Sequence, residues 1–164
     1  MSNSIHTFEW AFIERSRTVK TRPTRNDDVP ALTSIVEQTE LFPSDMLPQL
    51  LSDTNSICLT CELSAGPVGF CYAVPEELAD GTWNMLAIAV APSEQGSGVG
   101  ASLVQELEQT LKNKGARVLI ADTSGADVFT RTREFYRKQG YLEVGRIPGF
   151  WAAGEDKVVF WKAL

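Results

Sequence analysis

The segment Gln95-Gly96-Ser97-Gly98-Val99-Gly100-Ala101 constrains this chain more than any other. It follows Leu86-Ala87-Ile88-Ala89-Val90, apolar at every position, which reads as a strand in the middle of a sheet. It leads into Val99, Leu103, Leu107 and Leu111, spaced as one face of a helix, with Gly115 placed to end it. Glycines between a strand and a helix let backbone N–H groups approach a phosphate, and the helix start adds unpaired donors and a favourable dipole. A tight turn that binds nothing would also join the two elements, but this density of glycine favours an anion site.

The ligand class depends on how the glycines are framed. Gly96-x-Gly98-x-x-Ala101 matches a dinucleotide fingerprint, and Asp122 lies about 20 residues on, where a ribose-binding acid belongs. Against an NAD site, Ala91 to Gln95 separate the strand from the first glycine, whereas a dinucleotide turn follows its strand directly. Three sheet-like runs also precede the loop in hairpin-like order, and the stretch after it is too short for the rest of a doubly wound sheet. A P-loop is excluded, because no Gly-Lys-Ser/Thr follows.

The remaining pattern gives one mixed α/β domain over residues 18–164. A short strand near Val19 is followed by Asn26-Asp27-Asp28, which supplies helix N-cap chemistry, and by Val29, Leu32, Ile35 and Val36 at helical spacing. A second short helix starts near Ser44. Ile57 to Glu62 alternates as a half-buried strand, and Val68 to Val74 returns as its hairpin partner. Thr82 to Val90 and Arg117 to Asp122 are strands flanking the glycine-loop helix, and Asp127 to Gln139 is helical up to Gly140. Tyr141 to Arg146 and Val158 to Leu164 close the order as strands, joined by a Gly-, Pro- and aromatic-rich connection. The expected order is β-α-α-β-β-β-α-β-α-β-β. Residues 1–17 read as an extension whose Phe8, Trp10, Phe12 and Ile13 are too apolar for a solvated tail.

Composition removes several classes. Fifteen Lys and Arg against 21 Asp and Glu give a net charge of −6, which argues against binding a nucleic-acid backbone. No apolar run approaches the roughly 18–20 residues of a membrane span, and no leader-like apolar core follows the N-terminus. The single histidine, His6, rules out a His-rich zinc site and leaves a Ser-His-Asp triad only a terminal residue to recruit. Cys58, Cys61 and Cys71 are an odd number, read as reduced thiols in a cytoplasmic setting. The Cys58-x-x-Cys61 spacing on a strand points the two thiols to opposite faces, so they are not expected to share a metal.

Two further patterns carry a family resemblance. Gln95-x-x-Gly98-x-Gly100, preceded by Val90-x-Pro92, resembles the acyl-CoA pyrophosphate loop of the GNAT family of N-acetyltransferases, and Phe135-Tyr136-x-x-x-Gly140-Tyr141 resembles that family's second signature. The resemblance implies a single GNAT-like domain, with a central, mixed, splayed β-sheet of about six to seven strands flanked by helices. It implies acetyl-CoA as cosubstrate, with no metal. Pantetheine would lie along the backbone of Ile88, Ala89 and Val90, the pyrophosphate on the amides of Gln95, Gly96, Ser97, Gly98, Val99, Gly100 and Ala101, and a backbone N–H near Val90 would polarise the acetyl carbonyl.

The resemblance also makes Tyr136 the general acid. An alkylammonium with a pKa near 10 is roughly 0.1% neutral at pH 7, so a carboxylate base is needed. Asp122 is the first choice, with Glu62, Asp80, Glu155 and Asp156 in reserve. Trp83, Phe150, Trp151 and Trp161 are expected near the acceptor end, and Phe150 to Lys157 reads as a pocket lid or as a self-packed hairpin connection. The expected activity is acetyl transfer from acetyl-CoA to a primary amine of a small molecule or peptide. The alternatives are a non-catalytic acyl-CoA sensor of the same fold and an NAD-linked oxidoreductase. Homodimerisation rests on analogy alone.

Overall fold

A computed structural model describes residues 18–164, so the expected N-terminal extension lies outside the described residues. The elements are β1 (Lys20–Pro23), α1 (Val29–Thr39), α2 (Leu47–Ser52), β2 (Ile57–Leu63), β3 (Gly66–Pro75), β4 (Thr82–Val90), α3 (Val99–Asn113), β5 (Val118–Ser124), α4 (Thr130–Lys138), β6 (Leu142–Ala152) and β7 (Glu155–Ala163). They follow the expected order. The seven strands form one sheet in the order β1-β2-β3-β4-β5-β7-β6. Among the described residues β4 and β5 are the one parallel pair, and the other neighbours are antiparallel. That topology is a mixed sheet and not a doubly wound one, which removes the structural basis of the dinucleotide reading.

Two cores sandwich the sheet. On one face α3 and α4 cover Leu59, Cys61, Cys71, Met85, Leu119, Ala121, Val158 and Phe160. On the other, α1 and α2 cover Phe70, Tyr72, Ala87 and Ala89. Burying the apolar stripe of α3, with Leu103, Leu107 and Leu111 all fully buried, contributes roughly 1.5–3 kcal/mol per side chain.

Two expectations are corrected. Asn26–Asp28 form a 3-10 turn, and the Asp28 carboxylate turns inward to the Arg22 guanidinium instead of simply capping α1. The Gly- and Pro-rich stretch expected to join the last two strands is itself strand, since β6 runs on to Ala152 and turns only at Ala153-Gly154. Pro148 and Gly149 are tolerated there because β6 is an edge strand with a register irregularity between Ile147 and Ala152.

The thiols are shielded. Cys61 and Cys71 lie in the first core, while Cys58 packs against the second. Burial pushes all three thiols up, Cys58 to about 11. At pH 8 the native protein is therefore expected to react with Ellman's reagent far more slowly than free cysteine. In guanidinium chloride it should release the signal of all 3 thiols. Fast reaction of one native thiol would contradict this packing.

Candidate active site

The decisive local feature is one extra residue in β4. Tyr72 pairs with Ala87, but the next β3 residue, Ala73, pairs with Met85, so Leu86 is a bulge. Side chains alternate along a strand, so the bulge inverts their faces. Trp83 and Met85 join the α3/α4 core, whereas beyond Leu86 the odd-numbered Ala87 and Ala89 join the α1/α2 core.

Backbone groups invert with the side chains. Glu76 N donates to Thr82 O before the bulge, which turns the even residues of β4 toward β3. Ala91 N donates to Val68 O after it, so there the odd residues face β3, and Ile88 and Val90 direct their N–H and C=O groups toward β5. Pairing of β4 with β5 covers only Thr82–Met85 against Val118–Ala121. The backbone of Ile88 and Val90 therefore borders a gap. Ala89, expected on the same edge, instead faces β3 opposite Phe70 with its methyl buried. The strand is not apolar-buried on both faces either, since Leu86 is 55% exposed.

The open edge leads into the glycine loop. Gly96 and Gly98 have φ of +80° and +91°, a region that strains side-chain-bearing residues. Ser102 N bonds Gly98 O, the first helical hydrogen bond, so the N–H groups of Val99, Gly100 and Ala101 have no helical partner. A Cβ on Gly100 would lie 3.2 Å from the Phe135 ring, so this glycine lets α3 approach α4.

A groove of about 440 Å³ connects these parts. Of the expected residues, Ile88, Val90, Gln95, Gly96, Gly98, Gly100 and Ala101 line it. The Ser97 amide is taken by Glu94 O, and the Val99 side chain is core. Gln95 Nε2 donates to Val90 O at 3.2 Å and ties the loop to the strand end. Sequence reasoning missed the groove's second wall, Arg131, Glu134, Phe135 and Lys138 of α4. Their spacing of three and four marks one helix face, which was the available signal. Two of the four are cations, suited to an anionic ligand in an otherwise acidic protein.

Tyr136 lies behind that wall, 3% exposed, its ring tilted against Phe135, Tyr141 and Phe160 at 5.2–5.7 Å. Burial, then the Asp122 charge, raises its phenol well above the usual tyrosine range, so it holds its proton. Arg133, one helical turn earlier, donates to Ser124 O and Ala126 O at 2.8 Å and fixes α4 to the end of β5.

Asp122 sits one residue past the last β4–β5 pair. Lys157 holds its Oδ2 at 2.5 Å, while Oδ1 is buried without a hydrogen-bond partner. The Lys157 ammonium also lies 4.7 Å from the centre of the Phe150 ring, and Trp151 Nε1 donates to Thr123 O at 3.4 Å. The Phe150–Lys157 stretch is thus a self-packed hairpin whose half-exposed rings are fixed beside Asp122. Trp161 pairs with Ile120 and shares the Asp122 face, whereas Trp83 packs into the opposite core.

The reserve carboxylates are placed elsewhere or otherwise engaged. Glu62 of β2 pairs with Arg22 of β1, Asp80 is an exposed partner of Arg117, and Asp156 accepts the Gly149 N–H. Glu155 starts β7 opposite Ala152, at the hairpin turn.

The site thus joins an open strand edge to a helix start whose first amides have no helical partner. The sequence profile of the Acetyltransferase (GNAT) family matches residues 21–141, most of the chain, and the chain belongs to that family of acetyltransferase enzymes. No curated protein matches the sequence significantly. Among solved structures, a candidate GNAT acetyltransferase from Desulfovibrio desulfuricans is similar at 26% identity and TM-score 0.81, over 89% of this chain and 99% of that one. An aminoglycoside 6'-N-acetyltransferase complexed with coenzyme A shares the fold at 18% identity and TM-score 0.76, over 88% of this chain and 96% of that one. The ribosomal-protein-S18-alanine N-acetyltransferase of Escherichia coli does so at 16% and 0.76, over 89% and 94%. Among the described residues no helix is long and apolar enough to cross a membrane.

Proposed function

We propose that the protein transfers the acetyl group of acetyl-CoA directly to a primary amine. The observation that carries this reading is the gap itself. The bulge at Leu86 leaves the N–H and C=O of Ile88 and Val90 facing a space where β5 has ended its pairing, and the groove continues to the unpaired amides of α3. Amide groups of pantetheine match such an edge as an added strand would. The pyrophosphate suits the amides of Val99, Gly100 and Ala101, with Arg131 and Lys138 supplying positive charge from α4.

Asp122 Oδ1 takes a proton from the acceptor ammonium, directly or through water, while Lys157 holds Oδ2. The freed amine nitrogen attacks the thioester carbonyl, whose developing charge meets a backbone N–H on the open edge of β4. The carbon–sulfur bond breaks, and the departing thiolate receives the proton of the Tyr136 hydroxyl. The acylated nitrogen gives its second proton through water to the tyrosinate, and Asp122 releases the first to solvent, leaving a neutral amide and a free thiol.

Thermal unfolding tests the ligand class. Acetyl-CoA at about 100 times its Kd adds about 2.7 kcal/mol, or several degrees in Tm, and NADH adds none. Thiol release with an amine panel then reads turnover. Folded protein with no shift in acetyl-CoA would overturn the reading.

A further inference from the structure

Two buried oxygens on neighbouring strands lack a donor, and they face the same side of the sheet. One is Asp122 Oδ1, and the other is Asn84 Oδ1. Asn84 is 7% exposed, and its Nδ2 donates to Glu76 Oε1 at 2.8 Å. An ionised carboxylate accepts only, so that bond fixes the orientation of the amide and leaves its oxygen as the orphan.

Asn84 pairs with Ile120 across the parallel ladder, and Asp122 is two residues beyond Ile120, so side-chain alternation places Asn84 and Asp122 on one face. Strand spacing and rise put their Cα atoms about 8 Å apart, a distance two short side chains span around a single small group. The face is the one opposite α3 and α4, because Met85, Leu119 and Ala121 point the other way into that core. Leu86, the bulge where the gap opens, lies two residues further along β4.

A buried polar atom without a partner is destabilising, because it gave up its hydrogen bonds to water, and native proteins retain few. Two such acceptors, on one face of neighbouring strands beside the point where those strands separate, call for a ligand that only donates. A primary ammonium has three N–H donors and no acceptor, and its charge suits the Asp122 carboxylate. A hydroxyl would bring one donor and two unmatched lone pairs, and a tertiary ammonium a single donor.

Resting on the acetyl-transfer reading above, we infer that Asn84 is an acceptor-binding residue, its Oδ1 and Asp122 Oδ1 together gripping the ammonium of a primary amine beside the Phe150–Trp151 pair. Asn84 then selects primary amines over hydroxyl and tertiary-amine analogues, and orients the nitrogen whose proton Asp122 removes. The half-exposed rings next to Asp122 fit an acceptor whose amine sits on a short apolar or aromatic stem.

Steady-state thiol release tests this with acetyl-CoA and 2-phenylethylamine, benzylamine and 1,4-diaminobutane as probes, and 2-phenylethanol and N,N-dimethyl-2-phenylethylamine as competitors. Asn84→Ala and Asn84→Leu are expected to raise the amine KM tenfold or more, to leave the acetyl-CoA KM within twofold, and to narrow the preference for the amine over its competitors. Because Asn84 is buried, a measurement on unaltered protein accompanies the variants. Titrating 2-phenylethylamine into CoA-loaded wild-type protein should shift the Asn84 side-chain amide resonances before those of the other asparagines. Unchanged amine KM in folded variants, unmoved Asn84 resonances, or CoA binding without turnover of any primary amine would overturn the inference. Absence of CoA binding would instead overturn the acetyl-transfer reading on which it rests.

Discussion

Tyr136→Phe is expected to lower kcat by roughly 10²–10³-fold while leaving CoA affinity unchanged, the scale of a lost general acid. The ring is held by Phe135, Tyr141 and Phe160, and phenylalanine fills the same space, so the fold and the groove wall survive. What disappears is one proton donor. Burial and the neighbouring Asp122 charge keep that donor protonated far into the alkaline range. The wild-type rate should accordingly show no fall at the ordinary tyrosine pKa of about 10, as far up as the protein stays folded. The paired measurement is kcat from thiol release and Kd for CoA by calorimetry. Equal kcat in the two proteins would remove Tyr136 from the chemistry. Loss of CoA affinity with kcat retained would make it a packing residue.

The largest expected effect on stability is at the far end of the sheet. The Arg22 side chain is 10% exposed and meets Asp28 through two hydrogen bonds of 2.7 and 2.8 Å, while its Nε donates to Glu62 at 2.9 Å. Asp28 also accepts the Arg25 N–H at 2.8 Å, so it closes the entry to α1. Asp28→Ala leaves a buried guanidinium short of its main counter-charge, which costs about 3–5 kcal/mol. Urea unfolding should show a lower midpoint with an unchanged slope.

The pH dependence has a definite sign. Arg22, chiefly through its hydrogen bonds, holds the Asp28 carboxyl below its usual range. The stabilisation is thus complete above the unfolded-state pKa of about 3.9 and is lost as pH falls through the lower folded value. The variant should therefore show a flatter acid limb than the wild type. A midpoint shift under about 1 kcal/mol equivalent, the scale of an exposed pair, would show that this pair behaves like a surface one.

The order of elements was legible because each declares itself locally. The α3 stripe, the apolar run of β4 and the stop at Gly140 need no knowledge of the rest of the chain. The glycine loop was legible for the same reason, since its conformational demand is written in the residue type. Asn26-Asp27-Asp28 misled because capping chemistry and a long-range ion pair use the same carboxylate, and only tertiary structure brings Arg22 to it. The hairpin from Leu142 was read short because Pro148 and Gly149 normally end strands, and edge position excuses them.

At the site, residue types single out Tyr136, Asp122 and the loop as candidates, but not the pairing of Lys157 with Asp122, which crosses from β7 to β5. Asn84 left no sequence signal, because one asparagine in a strand looks like any other until its two neighbours are known. The backbone edge was placed one residue too generously at Ala89, since which carbonyls face the gap depends on a bulge that leaves no mark in composition.

That bulge has a consequence for how this chain can vary. The groups offered along β4 are amides common to every residue type but proline, so exchanging one β-forming side chain for another at Ile88 or Val90 need not alter them. Losing or gaining a single position between Met85 and Ala87 would reverse the parity of the strand, turning the open edge toward β3 and the wrong side chains toward each core. The open edge is thus encoded in a count of residues rather than in their identities. Drift in spelling leaves it standing, and one change in length abolishes it.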